Sequence, residues 1–534
     1  MNRLWHSGAV AGAIAPFGRA LPPTGCVLAA VALWYGLTSW SHVIPKYIFP
    51  SPESVIAAAQ TSLVKGYANA TLLEHAWAST QLVLGGFAIG SCVAVVLACL
   101  MGYSPICKAL INPLFQALRP IPPIAWIPIS ILWFGIGPAG KLFIISLAVL
   151  SPTLINTLTG IEGTDPRLIE AARVHGAHRL RVFFSVRLPS AVPMLFTGLR
   201  LGIQFAWMTL VAAELLGAYL GLGFVLENAT TGIDTSMVIV GMLCVAALGA
   251  GMTLVLNYIE SVVVRWVPAV GIRDTQVGFS LARELRFTLI GSIGIFCVLV
   301  LWYFATQERQ ISRVMPSPAA VIHTIVYRSV TPFAGSTLPL DLFATAVKFF
   351  LAFVIAGTAG VLIGLLMGAS KMASMLMRPF FEVFRFVPPI AWVPFAVLWF
   401  GATLVAPVFV VSTGVLSVCV VNTARGVRLV PEPLVEAART LGASPPRRLF
   451  TVIAPASLPS IVAGIRIALG VGWASVIGAE LIVGTTGLGY FMVASEENGA
   501  LAAVVAGMVI IGFCGAILDL SIRGVERALN EWWA

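Results

Sequence analysis

Glu170-Ala171-Ala172-Arg173-Val174-His175-Gly176-Ala177 returns as Glu436-Ala437-Ala438-Arg439-Thr440-Leu441-Gly442-Ala443, and both runs are polar islands in an apolar chain. Each opens on an acidic, alanine-rich turn that favours helix. It then reaches a glycine that can end the helix and passes through arginines to Pro189 or Pro455. The pattern reads as helix, turn, helix. A carboxylate on a short amphipathic helix suits non-covalent docking, in which the helix enters a groove on a partner. Glu170 and Glu436 are expected near helix N-termini, with Gly176 and Gly442 allowing the turn. A basic loop that merely sets membrane orientation would account for one copy, but two copies matched in Glu, Ala, Ala, Gly and Pro favour docking.

The second pair of acids lies inside apolar runs. Glu214 and Glu480 each follow a tryptophan by seven residues, Trp207 and Trp473, near the outer ends of their segments. An intramembrane carboxylate is costly and points to function, although a place close to the outer interface lowers the cost. Two readings stay open: a gate or pathway acid, or a helix-end cap or interhelical hydrogen bond. Arg200 and Arg466, earlier in the same segments, are expected to snorkel towards the cytoplasmic side.

A third constellation is built on proline. Pro122-Pro123-Ile124-Ala125-Trp126 and Pro128 are matched by Pro388-Pro389-Ile390-Ala391-Trp392 and Pro394. A helix containing them loses backbone hydrogen bonds, and in a membrane the freed carbonyls are tolerated only against protein or a wet cavity. Pro123, Trp126, Pro128, Pro389, Trp392 and Pro394 are therefore candidate pathway-wall residues, with a simple packing kink as the alternative.

Catalytic and metal chemistry find no support. There is no metal-spaced histidine pair and no Gly-x-Ser-x-Gly elbow, and His175 and His178 read as surface histidines in the polar loop. Gly135-Ile136-Gly137-Pro138-Ala139-Gly140-Lys141 has the spacing of a phosphate-binding loop. It is followed by Leu142, where a hydroxyl would be needed for magnesium, and no strand precedes it. The cysteines lie mostly within or beside apolar runs, without disulfide or metal spacing, and are expected in the core.

These residues must be positioned by membrane helices. Of 534 residues 59% are hydrophobic and 10% charged, which leaves too little polar surface for a soluble globule of this length. The net charge of +10 resides in short loops between apolar runs, so it sets orientation and does not form a nucleic-acid surface. Spans of about 20 residues fall near 25–43, 80–102, 112–136, 141–160, 192–218 and 236–257, then 287–306, 346–369, 379–402, 405–425, 458–484 and 500–521. Prolines interrupt the third of each set. Glu170 and Glu436 are 266 residues apart (436 − 170), and the same period relates Trp133-Phe134-Gly135 to Trp399-Phe400-Gly401 and Gly221-Leu222-Gly223 to Gly487-Leu488-Gly489. The expected fold is an all-α membrane protein of two tandem six-helix transmembrane halves, related by a pseudo-two-fold axis along the membrane normal. Residues 1–266 and 287–534 form the repeats and 267–286 a linker. Arginines in the loops after the fourth span of each half put those loops, the linker and both termini in the cytoplasm. Pro50-Ser51-Pro52 and Pro316-Ser317-Pro318 then lie outside, each starting a short surface helix.

Glu-Ala-Ala, three residues, Gly, and a later Pro resembles the cytoplasmic loop of ABC importer permeases fed by substrate-binding proteins. The resemblance covers both halves, from about Pro50 to Trp266 and from Pro316 to Trp532. Phe-Pro-Ser-Pro, the run from Arg119 to Trp126, and Asp165 to Glu170 look most like the nitrate, sulfonate, taurine and bicarbonate branch. The resemblance implies a fused pair of permeases in the inner membrane. Its coupling loops (Glu170, Ala171, Ala172, Gly176, Pro189; Glu436, Ala437, Ala438, Gly442, Pro455) would seat in two ATPase subunits, and a periplasmic or extracellular binding protein would deliver a small anion. ATP and magnesium would be held by the ATPases, with no cofactor in this chain. The family's Leu-Pro ending, kept at Leu188-Pro189, becomes Ala454-Pro455, so the two docking sites are expected to differ. The rival is a secondary transporter of two six-helix halves driven by an ion gradient, which would be expected to carry its coupling acids near the midplane.

Overall fold

The computed structural model describes residues 28, 31–41, 43–45, 48–265, 296–312 and 314–533. The linker expected at 267–286 lies outside the described residues, as does Cys26. Helix accounts for almost all the regular structure among them; the extended pairing is confined to single bridges, Tyr67 with Ala70 and Phe333 with Ser336.

In the first half the helices are α1 (Pro52–Val64), α2 (Leu72–Tyr103), α3 (Pro105–Leu118), α4 (Ile127–Phe134), α5 (Pro138–Glu162), α6 (Pro166–Val174), α7 (Arg179–Leu216), α8 (Leu222–Thr231) and α9 (Thr235–Val263). The second half repeats them in order. They are α10 (Pro318–Val330), α11 (Leu338–Ala369), α12 (Lys371–Phe384), α13 (Val393–Phe400), α14 (Val405–Arg428), α15 (Glu432–Thr440), α16 (Pro445–Val483), α17 (Leu488–Glu497) and α18 (Leu501–Trp533). Ser51 and Ser317 cap α1 and α10 by accepting from Ser54 and Ala320 N–H, with proline at the first helical position, as the Pro-Ser-Pro pattern predicts.

Eight helices among the described residues, α2, α5, α7, α9, α11, α14, α16 and α18, are long and apolar enough to cross a membrane. In each half the central one, α5 or α14, packs between the other two long helices of its layer. Without a hydrophobic drive between helices in lipid, close approach depends on small residues. Gly86, Gly90 and Gly102 of α2 supply it, and a Cβ on Gly90 would come within 2.4 Å of the Ser146 carbonyl oxygen on α5. Gly360, Gly364 and Gly368 of α11 do the same against α14.

The third segment of each half departs from the expected single helix. The chain runs through α3, a 3-10 turn at Pro123–Trp126 and α4, with an 84° bend between the α3 and α4 sides. Pro120, Pro122 and Pro123 have no N–H to continue α3. The corresponding α12, turn Pro389–Trp392 and α13 follow the same course. The bent segment still crosses the layer. On one side Lys108 of α3 pairs with Glu162 at the end of α5 (2.5 Å), and on the other the Trp133 indole of the α4 end donates to the Val314 carbonyl of the second half. In the second half Arg428 bonds Ser374 (2.7 Å) on the first side, and Trp399 donates to the Ile48 carbonyl (2.7 Å) on the other. Each half is thus tied across the seam to its partner half, Trp133 to the segment before α10 and Trp399 to the segment before α1. The spans expected at 25–43 and 287–306 are described only in part, as helix at Leu28, 31–40 and Phe296–Ala305. Cys92 and Cys297 are exposed and not in the core, since they fall on outward helix faces.

A π-helical turn interrupts α7 at Phe183–Arg187 and α16 at Leu449–Ile453. Pro189 and Pro455 lie just beyond. Each lacks the N–H that an α-helix would place there, and the wider turn, in which Leu188 N–H bonds Phe183 and Ala454 N–H bonds Leu449, lets the helix continue.

Candidate functional site

Both polar loops fold alike. Asp165 caps α6 by accepting from Arg167 N–H at 2.9 Å; α15 has no side-chain cap and instead places Glu432 in its first turn, where the helix dipole favours a negative charge. Each helix closes in a Schellman turn. Gly176 N–H bonds Arg173 (2.9 Å) and Ala177 N–H bonds Ala172 (3.0 Å); Gly442 bonds Arg439 and Ala443 bonds Ala438, both at 3.0 Å. The turn needs a left-handed residue, and Gly176 (φ 76°) and Gly442 (φ 77°) supply it. Glu170 and Glu436 sit in the middle of these nine-residue helices, not near their N-termini as expected, because the helices begin at Pro166 and Glu432.

Neither short helix has a buried residue. Glu170, Ala171, Glu436 and Ala437 are exposed, Ala172 and Ala438 half-buried, Pro189 half-buried and Pro455 exposed. Leu168 and Leu434, at the same repeat position, are 53% and 49% exposed, so both helices present an uncovered apolar side chain beside the acid. The loops are not identical: Val174 is 85% exposed in the first, whereas in the second Leu441 is 88% exposed at the position of His175.

On the opposite side of the layer the two membrane acids are almost fully buried, each 1% exposed, so their burial cost is not relieved by an interface. Glu214 accepts from Ser79 Oγ (2.8 and 3.0 Å) and Gly223 N–H (2.8 Å). Ser79 Oγ accepts in turn from Leu222 N–H (2.8 Å). His75 accepts from Gly221 N–H at Nδ1 (3.1 Å) and faces the Tyr67 carbonyl through Nε2 (2.9 Å), which fits a neutral ring protonated at Nε2. Burial and the Asp234 carboxylate push the Tyr67 hydroxyl above its usual range, so Tyr67 stays neutral. The first N–H groups of α8 are thereby satisfied by α2 and α7, and three helices are knotted together. Glu480 repeats this with Thr345 Oγ1 (2.8 and 3.0 Å) and Gly489 N–H (3.1 Å), while Leu488 N–H bonds Thr345 and Gly487 N–H bonds Asp341. It adds a buried ion pair with Lys348 at 2.8 Å. Gly221 (φ 132°) and Gly487 (φ 110°) pass so close that a Cβ would lie 2.2 Å from a carboxylate oxygen of Glu214 or Glu480.

Ser79, Thr345, His75, Asp341 and Lys348 were not read from the sequence. A serine and threonine at one repeat position, and a lysine inside an apolar run, were the available signals. Arg200 and Arg466 do not simply snorkel: Arg200 bonds Glu260, Asn257 and Thr197, and Arg466 pairs with Asp519 (3.2 Å) and Glu526 (3.0 Å).

The proline turns meet where the halves meet. The turn at Pro123–Trp126 packs on α16 as well as α7, and that at Pro389–Trp392 on α7 as well as α16. Ile124 and Ile390, both essentially inaccessible, converge on Gly478, whose Cβ position lies 2.5 Å from Ile390 Cδ1 and 3.3 Å from Ile124. Trp126 and Trp392 are half-buried at the ends of the turns. Pro128 and Pro394, at the second position of α4 and α13, are buried and break nothing, since an N–H there would be unsatisfied anyway. The Pro122 and Pro388 carbonyls are not left free: Ala125 and Ala391 N–H take them at 2.9 Å.

Two helical membrane repeats closing on a shared axis, with matched exposed loops on one side, define a polytopic transport permease. The family model "Binding-protein-dependent transport system inner membrane component" matches residues 90–267 and again 360–532, and the chain belongs to that family. The taurine transport system permease protein TauC of Escherichia coli (strain K12) is 32% identical over 244 residues, 45% of this chain and 88% of its own length. The putative aliphatic sulfonates transport permease protein SsuC of the same organism is 34% identical over 247 residues, 46% of this chain and 92% of its own. The nitrate import permease protein NrtB of Leptolyngbya laminosa is 34% identical over 187 residues, 35% and 67% of the two chains. Each match spans less than half of this chain, in keeping with a tandem-fused permease.

Proposed function

We infer that this chain is the transmembrane permease subunit of an ATP-driven, binding-protein-dependent importer for a small anionic solute such as a sulfonate, taurine, nitrate or bicarbonate. Two separate ATPase subunits, which hold ATP and magnesium, seat on α6 and α15. A substrate-binding protein docks on the opposite, outer side. Residues 1–266 and 287–534 act as the two permease repeats joined by a cytoplasmic linker at 267–286, in the inner membrane with both termini cytoplasmic. ATPase closure is carried from Glu170, Ala171, Ala172 and Gly176, and from Glu436, Ala437, Ala438 and Gly442, through the π turns before Pro189 and Pro455 into α7 and α16. These helices carry Glu214 and Glu480 at their outer ends and flank the turns bearing Pro123, Trp126, Pro389 and Trp392. The motion opens the pathway alternately to the two sides.

The observation that carries this reading is the pair of short helices without a buried residue, closed by the same Schellman turn, each with an exposed glutamate and an uncovered leucine. A surface that buries nothing of its own is offered to a partner.

The test is purification of the tagged chain from its native membrane, with identification of what accompanies it, followed by uptake in proteoliposomes. Two ATPase subunits per chain and ATP-dependent uptake are expected. Reversing Glu170 or Glu436 to lysine should weaken assembly or uncouple hydrolysis from uptake, and the double change should be worse. Sustained uptake on an ion gradient alone would overturn the reading.

A further inference from the structure

Arg119 and Arg385 occupy one repeat position (385 − 119 = 266), directly after α3 and α12 and directly before the proline turns that close on the axis. Both side chains are exposed. Neither forms an ion pair or side-chain hydrogen bond with any described residue; Arg385 lies over the ring of Phe386, 4.9 Å from its centroid. Three other cations of the helical layer are committed: Arg200 to Glu260, Arg466 to Asp519 and Glu526, Lys348 to Glu480.

Their place makes the missing partner significant. Arg119 stands four residues before Pro123 and Arg385 four before Pro389. Both are on the α3 and α12 side of the Ile124–Ile390 closure, within bent spans whose far ends are marked by Lys108 with Glu162 and by Arg428 with Ser374. A guanidinium at such a place is costly unless it meets water or an anion. The charges acting on Arg119 are Asp519, Arg523 and Arg466, all of the other half. Asp519 is already shared by Arg466 and Arg523, so Arg119 adds positive charge for which no acid among the described residues is held in an ion pair. The stretches 119–126 and 385–392 contain no carboxylate, and the buried Trp392 Nε1 has no acceptor. Within these stretches the polar side chains are Arg119, Trp126, Arg385 and Trp392, all donors.

The geometry points to Arg119 and Arg385 as a pair of oxyanion-receiving side chains on the inner side of the Ile124–Ile390 closure, one from each half. They would take the sulfonate, nitrate or comparable oxygens of the solute as it leaves towards the cytoplasm. This rests on the reading of the chain as an importer of small anions. The planar guanidinium fork matches two oxygens of such a group, and two forks related by the axis serve a ligand passing along it. The pair also supplies selectivity within the membrane chain itself.

The experiment uses the complex with its ATPases and binding protein in proteoliposomes and follows ATP-dependent uptake of labelled taurine and nitrate. The variants are Arg119→Gln with Arg385→Gln, and Arg119→Lys with Arg385→Lys. The glutamine pair is expected to lower uptake about tenfold or more, the worth of one charge-assisted hydrogen bond. ATP hydrolysis stimulated by the binding protein should stay within about twofold of the parent, and the lysine pair should recover part of the uptake, since it restores the charge without the fork. Uptake unchanged in the glutamine pair overturns the inference, as does equal loss in both pairs, which would mark a structural role. Lipid phosphate is the other oxyanion within reach. If the glutamine defect disappears when anionic lipid is replaced by phosphatidylcholine, the arginines serve headgroups and the inference fails. If the parent complex imports neither taurine nor nitrate, the anion reading itself falls, an outcome distinct from an unaffected variant in a working importer.

Discussion

The knots around Glu214 and Glu480 share their backbone bonds and differ in how the acid is met by charge. In both, a hydroxyl on the long second helix (Ser79 or Thr345) bonds the carboxylate and receives the first N–H of the short helix that follows the acid, α8 or α17. Beyond that they diverge. Glu480 has Lys348 of α11 at 2.8 Å, whereas Glu214 has no cation within ion-pair distance among the described residues and is acted on by Lys141 of α5. The repeat partner of Lys348 is Leu82 (348 − 266) and that of Lys141 is Pro407 (141 + 266). His75 is matched by Asp341. The donors that fix the loop are constrained by backbone geometry, which tolerates little change. A Coulombic partner can come from any helix that lines the pocket, so it has moved.

The contrast can be broken most sharply at the lysines. Lys348→Met leaves Glu480 buried without its counter-ion and should cost about 3–5 kcal/mol, while Lys141→Met should cost less than half as much. Thermal unfolding of the purified chain in one detergent reads both, and equal losses would show the halves to be electrostatically alike. Next come Gly221→Ala and Gly487→Ala, which strain a left-handed residue and crowd a carboxylate. Each should lose about 2 kcal/mol, and the two should agree, since this part of the knot is shared; a clear disagreement would break the common-scaffold argument. Ser79→Ala should cost about 1–3 kcal/mol and exceed Thr345→Val, because Glu480 retains Lys348 and Glu214 retains only the Gly223 N–H. Measuring the pair sharpens the estimate of what the ion pair contributes. The smallest effect belongs to the other side of the layer. Gly176→Ala and Gly442→Ala meet nothing within 4 Å, so only the left-handed φ resists, at about 1 kcal/mol. The ratio of uptake to ATP hydrolysis should fall modestly in both.

The parts that could be read in advance were local or periodic. The Schellman turns follow from Gly176 and Gly442 and the alanines before them, and the proline turns from residues without an N–H. The small-residue face of α2 is written as glycines and alanines four apart. Glu170 was misplaced by a few residues, because Pro166 extends the helix on its N-terminal side. The prolines marked where the third span is interrupted, but its 84° angle was not legible, because hydropathy reports composition along the chain and a bend leaves composition unchanged.

By itself the sequence determined the membrane class, the period of 266, the two polar helix-turn loops and the positions at which helices must break. These depend on backbone preferences and hydrogen bonds that act within about five residues, or on composition over one span. Tertiary structure alone decided that Ser79 meets Glu214 across 135 residues, that Arg200 is held by Glu260, that Trp133 and Trp399 tie each half to the other, and that Ile124 and Ile390 close on Gly478. Such pairings depend on which faces of distant helices come together. A buried acid acquires its partner only when packing has removed every alternative, including water.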